Sequence, residues 1–166
     1  GQLTVKECVF RINRDVRFSK DKRPYKNNVA CYFNKSGKKG NGAGYYLHIE
    51  PGNSMAAGGI WMPEKTVLAG IRQEIDYNFT DWKKIIENKN FRKTFTDGVK
   101  STETLVRPPK GYDENNPAIE FLKMKSFIVS EPIIDKDLQN KNFVKEVAES
   151  FKKMNPLIDF LNTALL

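Results

Sequence analysis

Residues 44–61 read G-Y-Y-L-H-I-E-P-G-N-S-M-A-A-G-G-I-W. Tyr45, Leu47 and Ile49 fall on one parity and Tyr46, His48 and Glu50 on the other, a period of two that predicts a half-buried strand. Pro51-Gly52-Asn53-Ser54 carries turn chemistry. Residues 55–61 read as a second strand of small residues, and Gly58-Gly59 predicts close backbone approach or a bulge. Upstream, Val29–Phe33 predicts a short strand, followed by a Gly-rich basic turn over residues 35–44 (K-S-G-K-K-G-N-G-A-G). Strand, turn and strand in this order predict a hairpin.

Helical signals come later in the chain. Pro63 suits a first helical position, and Val67, Leu68, Ile71 and Ile75 then recur at helical spacing. Thr80 or Asp81 is placed to cap a second helix carrying Trp82, Ile85 and Ile86. Residues 99–107 read as a short strand, Pro117 opens a short helix, and residues 126–130 are β-branched enough for a strand. From Asn142 onward an amphipathic pattern runs to Leu165, with Pro156 predicting two helices or a kink. Strands early and helices late predict one α+β domain over residues 1–166, its largely antiparallel sheet from the N-terminal half packed by helices from the C-terminal half. Both Trp61 and Trp82 are expected in the core.

Composition excludes several classes. The chain has 166 residues, 39% hydrophobic, so it is no disordered polyelectrolyte. At this length roughly 70% of the unfolded surface can be buried without disulfide staples. Cys8 and Cys31 are unpatterned and read as two reduced, buried thiols of a cytoplasmic protein. With His48 as the lone histidine, no four-ligand zinc site can be built. No EF-hand loop is visible, so neither metal nor cofactor is expected. The longest apolar runs fall short of a membrane span, and no signal segment opens the chain. The chain starts at Gly1 instead of Met, which suggests a trimmed start.

The formal net charge is +8. Residues 1–50 hold eleven basic and four acidic side chains, whereas residues 51–166 hold seventeen and sixteen. Lysine outnumbers arginine 21 to 7, a bias that genomic base composition can produce, so arginine placement is the better guide. Four of the seven arginines (Arg11, Arg14, Arg17 and Arg23) lie within 13 residues.

Residues 8–18 alternate like a strand. Phe10, Ile12, Val16 and Phe18 share the apolar parity, and Arg11, Asn13, Asp15 and Arg17 the polar one. Arg14 falls on the apolar side. A buried arginine needs a partner, so either a carboxylate meets it or the strand bends before it. Residues 19–28, with Pro24, read as a loop.

Through Arg11, Arg14, Asp15, Arg17, Phe18, Asp21, Lys22 and Tyr25, this segment resembles an uncharacterised bacterial family, domain-of-unknown-function family 2461, also found within longer fungal proteins. The resemblance continues through residues 42–52, 57–63, 107–112 and 117–130, nearly the whole chain. It implies a further helical region upstream that this chain lacks, and it implies no activity.

The residues themselves suggest chemistry. Arg11, Arg14, Arg17, Lys22, Tyr25 and Lys26, with Arg107 and Lys110 as a second cationic wall, form a candidate groove for an anion such as a phosphate-bearing ligand or nucleic acid. Lys38 and Lys39 on the Gly-rich turn are placed to add to it. The turn is no Walker loop, because it lacks G-x-x-x-x-G-K-[ST] and leads into a strand. His48 and Glu50, with Asp15, are candidate acid–base residues for an enzyme acting on a phosphate or carboxylate substrate, and no nucleophile motif accompanies them. The third reading is structural: Asp15 and Asp21 neutralise arginines in a network that stabilises the fold. No membrane partner is expected, and the oligomeric state is open.

Overall fold

The computed structural model describes residues 3–35 and 37–165. Four strands, β1 (Val29–Phe33), β2 (Gly44–Ile49), β3 (Ser54–Ile60) and β4 (Phe127–Ile133), form one antiparallel sheet in the order β1-β2-β3-β4. Both hairpins read from residues 29–61 are present, and the register sets Tyr46 between Tyr32 and Ala57, and His48 between Ala30 and Met55. Among the described residues six α-helices accompany the sheet: α1 (Val5–Cys8), α2 (Lys65–Tyr77), α3 (Phe79–Ile86), α4 (Lys89–Thr94), α5 (Ile119–Leu122) and α6 (Phe143–Thr163). The architecture is α+β, with three strands in the first 60 residues and five of the six α-helices after them.

Strand alternation assigns the two faces. Tyr45 turns toward α6, its ring 5.0 Å from that of Phe151 and its hydroxyl donating to Asn155 Oδ1 at 2.6 Å. Gly58 explains how α6 reaches β3: a Cβ there would lie 2.6 Å from Met154 Sδ. Gly59 has φ +133°, and a Cβ on it would meet the Phe127 carbonyl oxygen of the neighbouring strand. The core lies between this face and the helices. Trp82 sits at its centre, fully buried, with rings of Phe121, Phe127 and Phe160 within 6.0 Å.

Several expectations are corrected. Trp61 is 68% exposed rather than core, because it stands just past the end of β3 where the chain turns at Met62 (φ 41°). Pro156 lies within one continuous helix. The proline removes one hydrogen bond on the exposed side, while Met154, Leu157, Ile158 and Leu161 hold the other side in the core. The helix after Pro63 starts at Lys65, and Asn78, not Thr80 or Asp81, precedes α3. Helix α4 has no counterpart among the helical signals of the sequence; Asn88 Oδ1 caps it by accepting from the backbone N–H groups of Asn90 and Phe91. Residues 99–107 make only isolated bridges, Lys100 with Ile128 and Thr104 with Met124.

The N-terminal segment is likewise not a sheet strand. Helix α1 opens where the Glu7 carboxylate accepts from the backbone N–H and hydroxyl of Thr4. The chain then touches the sheet edge through a Val9–Cys31 bridge, and Phe10 N donates to Ala30 O at 2.9 Å. Beyond Phe10 it leaves the sheet as an arm over residues 11–26.

Candidate functional site

The arm doubles back on itself. Asn13 bridges Tyr25, Arg14 N donates to Pro24 O, and Lys26 N donates to Ile12 O, both at 2.8 Å. Pro24 cannot donate in return, so the pairing is sparse and side chains complete it. Lys22 Nζ donates to Val16 O at 2.9 Å across the tip.

Two identical local clamps hold the arm. In Asp15-Val16-Arg17, Asp15 Oδ1 accepts from the Arg17 backbone N–H (3.2 Å) and Nε (2.9 Å), and Oδ2 accepts from Nη2 (2.6 Å). In Asp21-Lys22-Arg23, Asp21 Oδ1 accepts from the Arg23 backbone N–H (3.0 Å), and Oδ2 accepts from Nε (3.0 Å) and Nη2 (2.8 Å). These are bidentate, charge-assisted pairs closed over two residues. The repeated D-x-R spacing was readable in the sequence but is informative only once the clamps are seen.

Asp21 takes a third load. Arg14 Nη1 lies 2.6 Å from its Oδ2, and the same guanidinium reaches Arg23 O and Ser19 Oγ. The Arg14 side chain is 25% exposed. The carboxylate demanded by its place on the apolar parity is thus Asp21, contributed from the returning half of the arm. Hydrogen bonds from Arg23, then Arg14, hold Asp21 far below the usual carboxylate range, and Arg17 lowers Asp15. The same pairs raise Arg17 and Arg23.

A groove of about 470 Å³ opens beside these clamps, lined by Arg14, Asp15, Asp21, Arg23, Tyr25, Lys26, Asn27 and Asn28. Arg14, Tyr25 and Lys26 of the expected anion site line it. Arg11, Arg17 and Lys22 belong to the same arm but not to the groove lining, and neither do Arg107 and Lys110. Lys38 is committed elsewhere, donating to the carbonyls of Lys6 and Val9. Ser36 of the Gly-rich turn lies outside the described residues. Among the described residues, no side-chain hydrogen bond or ion pair engages Arg11, the Tyr25 hydroxyl or Lys26.

The apolar parity of the segment is not buried. Phe18, at the arm tip, is 95% exposed, and Ile12 and Phe10 are also exposed. The Arg17 guanidinium carbon stands 5.8 Å from the Phe18 ring centroid.

A second polar group lies on the sheet face opposite α6. Tyr46 Oη is 2.9 Å from His48 Nδ1, and His48 Nε2 is 2.8 Å from Glu50 Oε2. Glu50 also accepts from Asn53 Nδ2 (3.1 Å) and from Asn27 Nδ2 (2.6 Å). The His48 contact, then the Asn53 one, lowers the Glu50 carboxyl. In the neutral imidazole, an ionised Glu50 accepts the hydrogen bond from His48 Nε2–H, which leaves Nδ1 to accept from the Tyr46 hydroxyl. Burial, then Cys31 and Glu50, raises Tyr46, so the phenol is the proton donor. His48 and Glu50 do not line the groove. Asn27, a residue with no sequence signal of its own, lines the groove and touches Glu50.

Among the described residues, no group of three or more His, Cys, Asp or Glu side chains is placed to hold a metal ion. No helix among them is long and apolar enough to cross a membrane.

An antiparallel sheet with helices on one face and a clamped, strongly basic arm at its β1 edge defines an α+β protein whose charged residues concentrate outside the core. Residues 1–160 match the family model described as "Conserved hypothetical protein (DUF2461)", and the chain belongs to that family. No curated protein and no solved structure matches it.

Proposed function

We propose that this protein binds a phosphate-bearing anion through the arm and the groove beside it. One observation carries the reading: after both aspartates are paired, the arm keeps a large positive excess. Residues 11–26 hold seven basic and two acidic side chains, a net of +5. A purely structural network would balance its charges. This one uses two carboxylates to fix three guanidinium groups and leaves Arg11 and Lys26 unpaired among the described residues. Groups fixed before binding lose less entropy on capture of an anion.

The test is calorimetric titration with inorganic polyphosphate at low and at physiological ionic strength. Binding at low salt that weakens with added salt, and weakens again in an Arg11→Ala/Lys26→Ala variant of unchanged melting temperature, is the expected result. Absence of binding at low salt overturns the reading.

The Tyr46–His48–Glu50 chain favours a second reading, an enzyme that moves a proton on a substrate whose anionic group lies in the groove. Asn27 supports it by joining the two regions. Here His48→Gln abolishes turnover while leaving polyphosphate binding intact; a variant that loses binding and stability together speaks for a structural role.

A further inference from the structure

We infer that the anion taken by the arm is single-stranded nucleic acid, with Phe18 as a base-stacking platform; this rests on the anion-binding reading and names its ligand. Three observations combine. First, the cations do not converge. Arg17 and Arg23 are each turned onto their own Asp partner, so among the described residues no pocket gathers several unpaired guanidinium groups around one phosphate. Positive charge is instead spread over both halves of the doubled-back arm, from Arg11 to Lys26, which matches a chain of phosphates better than a single one.

Second, each clamp is incomplete in the same way. It engages Nε and Nη2, and among the described residues Nη1 of Arg17 and of Arg23 has no protein partner. Each arginine is oriented by protein and retains a donor for a phosphate oxygen.

Third, the aromatic rings of the arm are outside the core. Phe18 is 95% exposed and Tyr25 is 60% exposed. A phenylalanine so exposed adds nothing to the core, yet it stands next to the Asp15–Arg17 clamp, with the Arg17 guanidinium carbon 5.8 Å from its ring centroid. Exposed rings interleaved with cations are the arrangement that binds unpaired bases, since every base has a face to stack. Duplex bases are already stacked on each other and offer Phe18 no face.

The experiment compares three probes by fluorescence anisotropy or competition: an oligothymidylate of about ten nucleotides, the same length as duplex, and inorganic polyphosphate. Expected is tighter binding of the single strand than of the duplex, with a log–log salt slope near −3.5 if about five phosphates are neutralised. Phe18→Ala weakens the single strand about tenfold and leaves polyphosphate unchanged; Phe18→Trp restores it and Phe18→Leu does not. If polyphosphate binds but the strand is insensitive to Phe18, or the duplex binds equally well, this inference falls and the anion reading stands. If none of the probes binds at low salt, both fall.

Discussion

Arg14 and Asp21 lie seven residues apart and meet at 2.6 Å, closing the outgoing half of the arm onto the returning half. The contact accounts for the irregular place of Arg14 in the alternation: its side chain turns toward the inside of the arm, where Asp21 receives it. The same carboxylate holds Arg23, so one residue governs the geometry of two cations.

Replacing Asp21 with Asn therefore loosens the whole arm. Amide exchange across residues 14–25 accelerates to that of an open loop, while β2 and β3 keep their protection. Unchanged exchange in the arm would mean that the backbone pairs at Pro24 and Ile12 suffice alone.

Acid should act through the same groups. Asp15, Asp21 and Glu50 all titrate below their ordinary values of 3.8, 3.8 and 4.5 in the folded chain. A carboxyl depressed by folding contributes stability above its unfolded value and loses it as pH falls through the folded one. Melting temperature is thus expected to be flat through neutrality and to fall from about pH 4.5 downward. An Asp21→Asn variant shows a shallower fall, measurable by circular dichroism between pH 7 and pH 2.5.

The glycine pair of β3 separates two kinds of crowding. At Gly58 a methyl group meets the Met154 side chain, which can yield, so Gly58→Ala costs about 1 kcal/mol. At Gly59 it meets the Phe127 backbone in a positive-φ conformation, and Gly59→Ala costs about 3 kcal/mol or more. Urea denaturation gives both values; equal costs would contradict the register between β3 and β4.

Pro156 offers a gain. It sits inside α6 without the hydrogen bond an alanine would make. Pro156→Ala should stabilise by about 2 kcal/mol, the helical penalty of proline less its stiffening of the unfolded chain. A loss of stability would show that the ring itself is needed at this position.

Much of this was legible in sequence because its causes are local. Parity along residues 44–50, the turn at Pro51-Gly52 and the small residues after it gave both hairpins and the shared face of Tyr46, His48 and Glu50. Helical spacing likewise gave the amphipathic length of α6, whereas the division into two helices expected as one outcome at Pro156 did not occur. One missing hydrogen bond is outweighed by a buried face that only the packed core supplies.

The arm divides in the same manner. Charge density, the arginine cluster and the need of Arg14 for a carboxylate follow from residue types and order. Three features depended on the fold: which carboxylate answers Arg14, the exposure of Phe18 despite its apolar parity, and the contact of Asn27 with Glu50 across 23 residues of chain. Sequence determined the elements and the charges because backbone sterics and side-chain period act between near neighbours. Tertiary structure decided the partners, because a pairing across the arm or onto the sheet exists only once the chain has closed.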